Sequence, residues 1–163
     1  MPPAFISHFR EAAPYIDYLR GKTLVAGIAG SLLTPERFRP IAADLALLAG
    51  LGIRLVLVYG SRSPISAACA AQGIEPRYHL GRRVTDATVL EIANQVCGRL
   101  NYEIEAALSV GLSHSPQRGR RLRVVSGNFV SARPLGIIDG IDMGYTGCVR
   151  KTDAEAVQSC LDS

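Results

Sequence analysis

The sequence predicts a three-layer α/β sandwich with a mainly parallel sheet, on three observations. Two continuous apolar runs, Thr23 to Ala29 and Ile53 to Tyr59, have the composition of parallel strands buried on both faces. Segments with helical periodicity lie between and after these runs. The resulting order, β-α-β-α-α-β-β, is that of helices crossing between parallel strands. At 163 residues, 48% of them hydrophobic, the chain is long enough to bury the core of one such domain.

In chain order, residues 4–20 read as an amphipathic helix, because Phe5, Phe9, Ala12, Ile16 and Leu19 recur at helical spacing and Gly21 supplies a stop. Residues 1–21 therefore stand apart from the domain proper, residues 22–163. After the first strand, Thr34-Pro35-Glu36 is an N-cap, a first-turn proline and an acid at the positive end of a helix dipole. Phe38, Ile41, Leu45 and Leu48 line one face of that helix as far as Gly50. Ser63-Pro64 is expected to start a short helix reaching Gln72. Thr85-Asp86 caps a longer one with Leu90, Ala93, Val96, Leu100, Ile104 and Leu108 on its apolar side. Leu122 to Val125 and Phe129 to Ala132 read as strands around Ser126-Gly127-Asn128, and Thr152-Asp153 caps a last helix ending near Leu161.

Several function classes lose support on composition. No apolar run reaches the ~20 residues that cross a membrane, and Arg10 and Glu11 stand where a signal peptide has its apolar centre, so a cytoplasmic protein is expected. Cys69, Cys97, Cys148 and Cys160, like His8, His79 and His114, are too scattered for zinc or redox spacing, so reduced and mostly buried thiols and no metal are expected. The net charge of +4 comes almost entirely from arginine, since Lys22 and Lys151 are the only lysines. The one dense basic run, Gln117 to Arg123, lacks interleaved aromatics and reads as an exposed loop, so no nucleic-acid partner is expected.

In an open α/β sheet ligands lie beyond the carboxyl ends of the strands, where helix N-termini offer free N–H groups to anions. Gly27 to Ser31, with Ala29 and Gly30 between, follows the first strand, and Gly60-Ser61-Arg62 follows the second. Adjacent strands would put the two turns side by side. In Gly81 to Asp86, Arg82 and Arg83 precede a helix start, where a guanidinium can hold a carboxylate bidentately or simply pair with a surface acid. Asn128, in the Ser126-Gly127-Asn128 connection, can hydrogen-bond the same small molecule or serve its own turn.

The stretches "FREAAPYIDYLRGKTLV", "LGIRLVLVYGSR", "RVTDA", "VVSGNFVSARPLGIIDGIDMGYTG" and "VRKTDAEAV" occur in an order and at a spacing that closely resembles the N-terminal part of bacterial N-acetylglutamate synthase. That enzyme makes N-acetylglutamate from glutamate and acetyl-CoA in the first step of arginine biosynthesis. The resemblance covers nearly the whole chain. It implies an amino-acid-kinase fold, incomplete at its C-terminus, that senses arginine, with the acetyltransferase domain outside these residues. The related acetylglutamate kinases carry a lysine, aligned with Gly27, that assists phosphoryl transfer; Lys22 lies before the strand, some ~16 Å from that mouth over about five residues. Loss of that cation should nearly abolish a reaction that rests on positioning and charge stabilisation.

By the same resemblance, Gly60, Ser61, Arg62 and Arg83 match positions that hold N-acetylglutamate in the kinases, with Asn128 nearby. Tyr15, in Pro14 to Ile16, matches the segment with which arginine-sensitive members build a hexameric ring and wall the arginine site. This chain has Ser61-Arg62 where the kinases have a glycine run, Arg62-Ser63-Pro64-Ile65 where synthases commonly have Arg-Pro-Gln-Ile, and Ala29 in place of the first of two paired glycines. Arg133-Pro134-Leu135-Gly136-Ile137-Ile138 comes nearest to an acetyl-CoA loop but ends in a bulky residue, so the chain is expected to hold no cofactor and no catalytic residue of its own. The expected ligands are N-acetylglutamate or glutamate and arginine, and the expected partners are other copies of the chain or an acetyltransferase domain. An active acetylglutamate-type kinase and a basic nucleic-acid-binding module are the alternatives.

Overall fold

The structure, a computed structural model, describes residues 3–110 and 122–162. Helix α1 (Pro3–Leu19) leads into β1 (Thr23–Ile28), a 3-10 turn at Gly30–Leu32, α2 (Pro35–Gly50), β2 (Arg54–Tyr59) and α3 (Arg62–Ala71). A two-strand hairpin, β3 (Tyr78–His79) and β4 (Arg82–Arg83), precedes the long α4 (Ala87–Ser109). After residue 122 come β5 (Val130–Pro134), a second small hairpin of β6 (Ile137–Ile138) and β7 (Ile141–Asp142), β8 (Gly147–Thr152) and α5 (Ala154–Asp162). No helix among the described residues is long and apolar enough to cross a membrane.

β1 and β2 pair in parallel from Thr23–Arg54 to Ile28–Tyr59, which brings both carboxyl ends to one edge. Ala26, Ile28, Leu55, Leu57 and Tyr59 alternate onto one face of this pair and pack against a cluster built from α2, α3 and α4. In α4 the buried stripe is Val89, Ile92, Val96, Leu100, Ile104 and Leu108; its first turn is set one residue earlier than Leu90 and Ala93, which are only partly covered. Asp86 caps this helix, Oδ1 accepting from Val89 N at 2.9 Å. Pro35 opens α2 as expected, although the Thr34 side chain makes no capping hydrogen bond. Only Cys69 is fully buried, the other three thiols being half-buried rather than mostly enclosed.

Four local expectations need correction. β1 and β2 are not buried on both faces: Val25 and Val58 remain 63% and 57% exposed, because the helices among the described residues cover one face of the pair. Leu122 to Val125 forms no strand and joins no ladder, although Leu122 and Val124 reach the core. The strand expected over Phe129 to Ala132 runs instead over Val130–Pro134 and pairs antiparallel with β8, whose own strand character was not anticipated. α3 begins at Arg62, so Ser61 rather than Ser63 is its N-cap.

Candidate functional site

The two glycine turns lie side by side. Gly60 N donates to Ile28 O at 2.9 Å, and a Cβ built on Gly30 would run into Gly60 O and lie 2.9 Å from Pro64 Cδ. Glycine at position 30 is thus required by the close approach of the second turn, not by its own dihedral angles. Ser61 makes no side-chain cap, so its hydroxyl does not occupy the first-turn N–H groups of α3, which are those of Arg62 and Ser63 because Pro64 has none. Ala29 supplies the extended residue before the 3-10 turn, and Ser31 lies within it, exposed, its carbonyl accepting from Arg37 Nη1 at 3.4 Å.

A cationic cluster stands beside the α3 N-terminus. Its parts come from α3 and from the β3–β4 hairpin, whose Leu80-Gly81 turn has φ of 47° and 73°, the two positive angles of a type I′ turn. Register pairs Tyr78 with Arg83. Arg83 Nη2 donates to Arg62 O at 2.9 Å, Ser66 Oγ at 2.8 Å and Tyr78 Oη at 3.2 Å. Ser66 Oγ and Tyr78 Oη are 2.9 Å apart, and Ser66 Oγ also donates to Arg62 O at 2.9 Å. The Arg62 and Arg83 guanidinium carbons stand 4.8 and 5.6 Å from the centre of the Tyr78 ring. The hydrogen bond between Ser66 and Tyr78 and the two nearby guanidiniums together hold the Tyr78 phenol below its ordinary range, with burial opposing them.

Neither guanidinium has a carboxylate within ion-pair distance among the described residues, where the three pairs formed are Arg54–Asp162, His79–Asp139 and Arg99–Glu103. Arg83 Nε is buried without an acceptor. Two cations are thus brought together over one ring with no acid paired to either, an arrangement chemically able to hold an anion.

The other expected site residues fall elsewhere. Asn128 is exposed and makes no hydrogen bond to Gly60, Ser61 or either arginine. Its neighbour Ser126 turns to α4 instead, donating to Glu105 Oε1 at 2.9 Å and accepting from Asn101 Nδ2 at 3.1 Å. These groups line a cavity of about 520 Å³ between β2, α4 and residues 122–129. Tyr59 lies on the same wall, its phenol pushed up by burial and, less strongly, by Cys97 and Glu105. Tyr15 is 71% exposed on α1, away from the mouth. Gly27 has nothing within 4 Å of a built Cβ, and Lys22 Nζ instead packs 5.7 Å over the Tyr18 ring at the opposite end of β1. Most of the basic run from Gln117 to Arg123 lies outside the described residues.

A parallel pair with two touching glycine turns at its carboxyl edge, backed by three helices, is the architecture of an open α/β domain, the class in which ligands lie beyond that edge. The chain belongs to the amino acid kinase family, whose profile matches residues 22–163. It is similar, more particularly, to curated amino-acid acetyltransferases. It is 50% identical to that of Neisseria meningitidis serogroup A over 100% of this chain and 37% of the relative, and 48% identical to that of Shewanella oneidensis over 97% of this chain and 36% of the relative. Among solved structures it matches N-acetylglutamate synthase from Neisseria gonorrhoeae complexed with coenzyme A and L-arginine, with TM-score 0.89 and 49% identity over 97% of this chain and 37% of that one. The same enzyme complexed with coenzyme A and N-acetyl-glutamate matches with TM-score 0.84. The chain thus spans a little over a third of the length of these relatives.

Proposed function

We propose that this chain is the kinase-like, ligand-sensing portion of an N-acetylglutamate synthase, serving the first step of arginine biosynthesis in the cytoplasm without transferring phosphate. Arg62, Arg83 and the free N–H groups after Gly60 and Ser61 take a carboxylate of N-acetylglutamate or glutamate. The single observation that carries the reading is the pair of guanidiniums without an acidic partner, set beside two touching glycine turns. The absence of phosphoryl transfer rests on Gly27 and on the engagement of Lys22 by Tyr18 at the wrong end of the strand. Arginine is the effector, sensed with the help of Tyr15. Copies of the chain associate through α1, where Phe5 and Phe9 stack with 6.3 Å between centroids yet stay 52% and 57% exposed.

Calorimetry on the full chain tests this reading. N-acetyl-L-glutamate and L-arginine should each give binding heat, and R83A should lose the first. Absence of heat from both ligands sinks the reading. Incubation with ATP, magnesium and N-acetyl-L-glutamate, with hydroxylamine as trap, should yield no hydroxamate; its formation would restore the kinase alternative.

A further inference from the structure

We propose that Tyr78 is the positioning residue of the carboxylate site, its ring and hydroxyl together holding Arg62 and Arg83 ready for the ligand. The inference deepens, and rests on, the reading that this cluster binds a carboxylate. Two guanidiniums repel each other, and with no acid between them they would swing apart into solvent. The ring offers its negative face to both, at 4.8 and 5.6 Å, and offsets part of that repulsion. The hydroxyl acts differently. Tyr78 Oη and Ser66 Oγ both accept from Nη2 of Arg83, as does the Arg62 carbonyl, so that nitrogen is fully committed. Nη1 forms no hydrogen bond among the described residues, whereas Nε is buried without an acceptor, so Nη1 is the nitrogen left for a ligand. Fixing one nitrogen in this way orients the guanidinium plane before the ligand arrives, which removes an entropic cost from binding.

A consequence for pH follows from the same geometry. The groups facing Tyr78 are Arg62 and Ser66 from α3 and Arg83 from β4, and no carboxylate joins them among the described residues. In the empty site the cations favour the phenolate, as does Ser66 once its hydroxyl hydrogen turns from the Arg62 carbonyl to the Tyr78 oxygen. A bound carboxylate neutralises the cations, so the phenol returns toward its ordinary range near ~10. Binding therefore takes up a proton once the empty site has lost one. Affinity is full below the lowered value and falls as pH rises through it, where phenolate and carboxylate compete for the same cations.

Calorimetric titration of N-acetyl-L-glutamate into the full chain at pH 7 and at pH 10 tests this, with tyrosinate absorbance followed in parallel. Y78F keeps the ring but loses the hydroxyl. It should bind roughly fivefold to tenfold more weakly at pH 7, equivalent to ~1–1.4 kcal/mol, and the alkaline fall seen in the parent should vanish. The tyrosine that ionises early in the parent should be missing in Y78F, and should ionise at higher pH than in the parent both in R83M and in the parent saturated with ligand. Y78F with parental affinity and an unchanged pH profile, while R83A no longer binds, overturns the role of Tyr78 and leaves the carboxylate site standing. An early-ionising tyrosine indifferent to R83M also overturns it. Failure of the parent itself to bind at either pH removes both the site and this inference.

Discussion

Residues 23–110 and residues 122–162 are held together by different physics. In the first region a single apolar cluster buries side chains from α2, α3 and α4 against one face of β1 and β2. In the second, Met143 alone is a buried hydrophobic residue, and every residue of β5 is exposed. Leu122 and Val124 pack against the first region's cluster, and what orders the rest of the second region is backbone pairing: the β5–β8 ladder, the Asp139-Gly140 hairpin, and a seam to Thr85. At that seam Tyr145 N donates to Thr85 O at 2.8 Å and Thr85 N donates to Met143 O at 3.3 Å. Hydrophobic burial grows with area and shows itself as a cooperative core, whereas ladders without a buried face contribute little beyond local order.

The largest expected effect follows directly. L100A removes a side chain only 2% exposed from the middle of the α4 stripe and should cost about 2–5 kcal/mol by denaturant titration, transfer loss and cavity together. V149A, at a β8 position 66% exposed, should stay within about 0.5 kcal/mol of the parent. Similar losses in the two variants would show that β8 shares the core after all.

An intermediate effect tests the seam. Gly144 has φ of 59°, and a Cβ there would run into the carbonyl of Thr85. Alanine would be strained in that conformation and would push against backbone, which cannot swing aside. G144A should cost roughly 1–3 kcal/mol. Because Thr85 Oγ1 donates to the Arg83 carbonyl at 3.4 Å, the same change should weaken N-acetyl-L-glutamate binding in calorimetry, while V149A leaves it unchanged. Unaltered binding in a destabilised G144A chain would separate the seam from the site.

Legibility in the sequence divides along the same line. Where burial decides, periodicity and caps suffice: the runs over β1 and β2, Pro35 at the head of α2, and Asp86 with the α4 stripe all stand in the structure. Ser63-Pro64 misplaced the start of α3 because a serine before a proline imitates an N-cap, whereas Ser61 holds that place with no side-chain bond to betray it. Where turns decide, local chemistry was readable but easily missed. Asp139-Gly140 between Ile137-Ile138 and Ile141-Asp142 has the residues a type I′ turn requires, and its φ angles are 50° and 78°. Leu80-Gly81 hides the same turn, because leucine is a poor residue for a positive φ. That concealed hairpin is why the site was half legible. Gly60, Arg62 and Arg83 follow from strand ends and helix starts, but Tyr78 reaches them only through the β3–β4 register, and Ser66 only because it lies one helical turn beyond Arg62.

The smallest expected effect gives the sharpest contrast, because the same interaction occurs once in each region. Asp86 Oδ1 accepts from Val89 N at 2.9 Å, and Asp153 Oδ1 accepts from Ala156 N at 3.0 Å, each three residues on. In isolation either cap contributes about 1 kcal/mol. D86A should lower global stability by about that amount, since α4 unfolds only with the core it forms. α5 has no buried residue, and Arg54 Nη1 reaches it from β2 at Asp162 Oδ1, 2.6 Å away. D153A should therefore let α5 fray by itself: amide hydrogen exchange in residues 154–162 should speed up several-fold while the denaturation midpoint barely moves. Should D153A instead shift the midpoint as far as D86A does, α5 belongs to the cooperative unit. The contrast would then lie between burial and exposure within one folding unit, not between two.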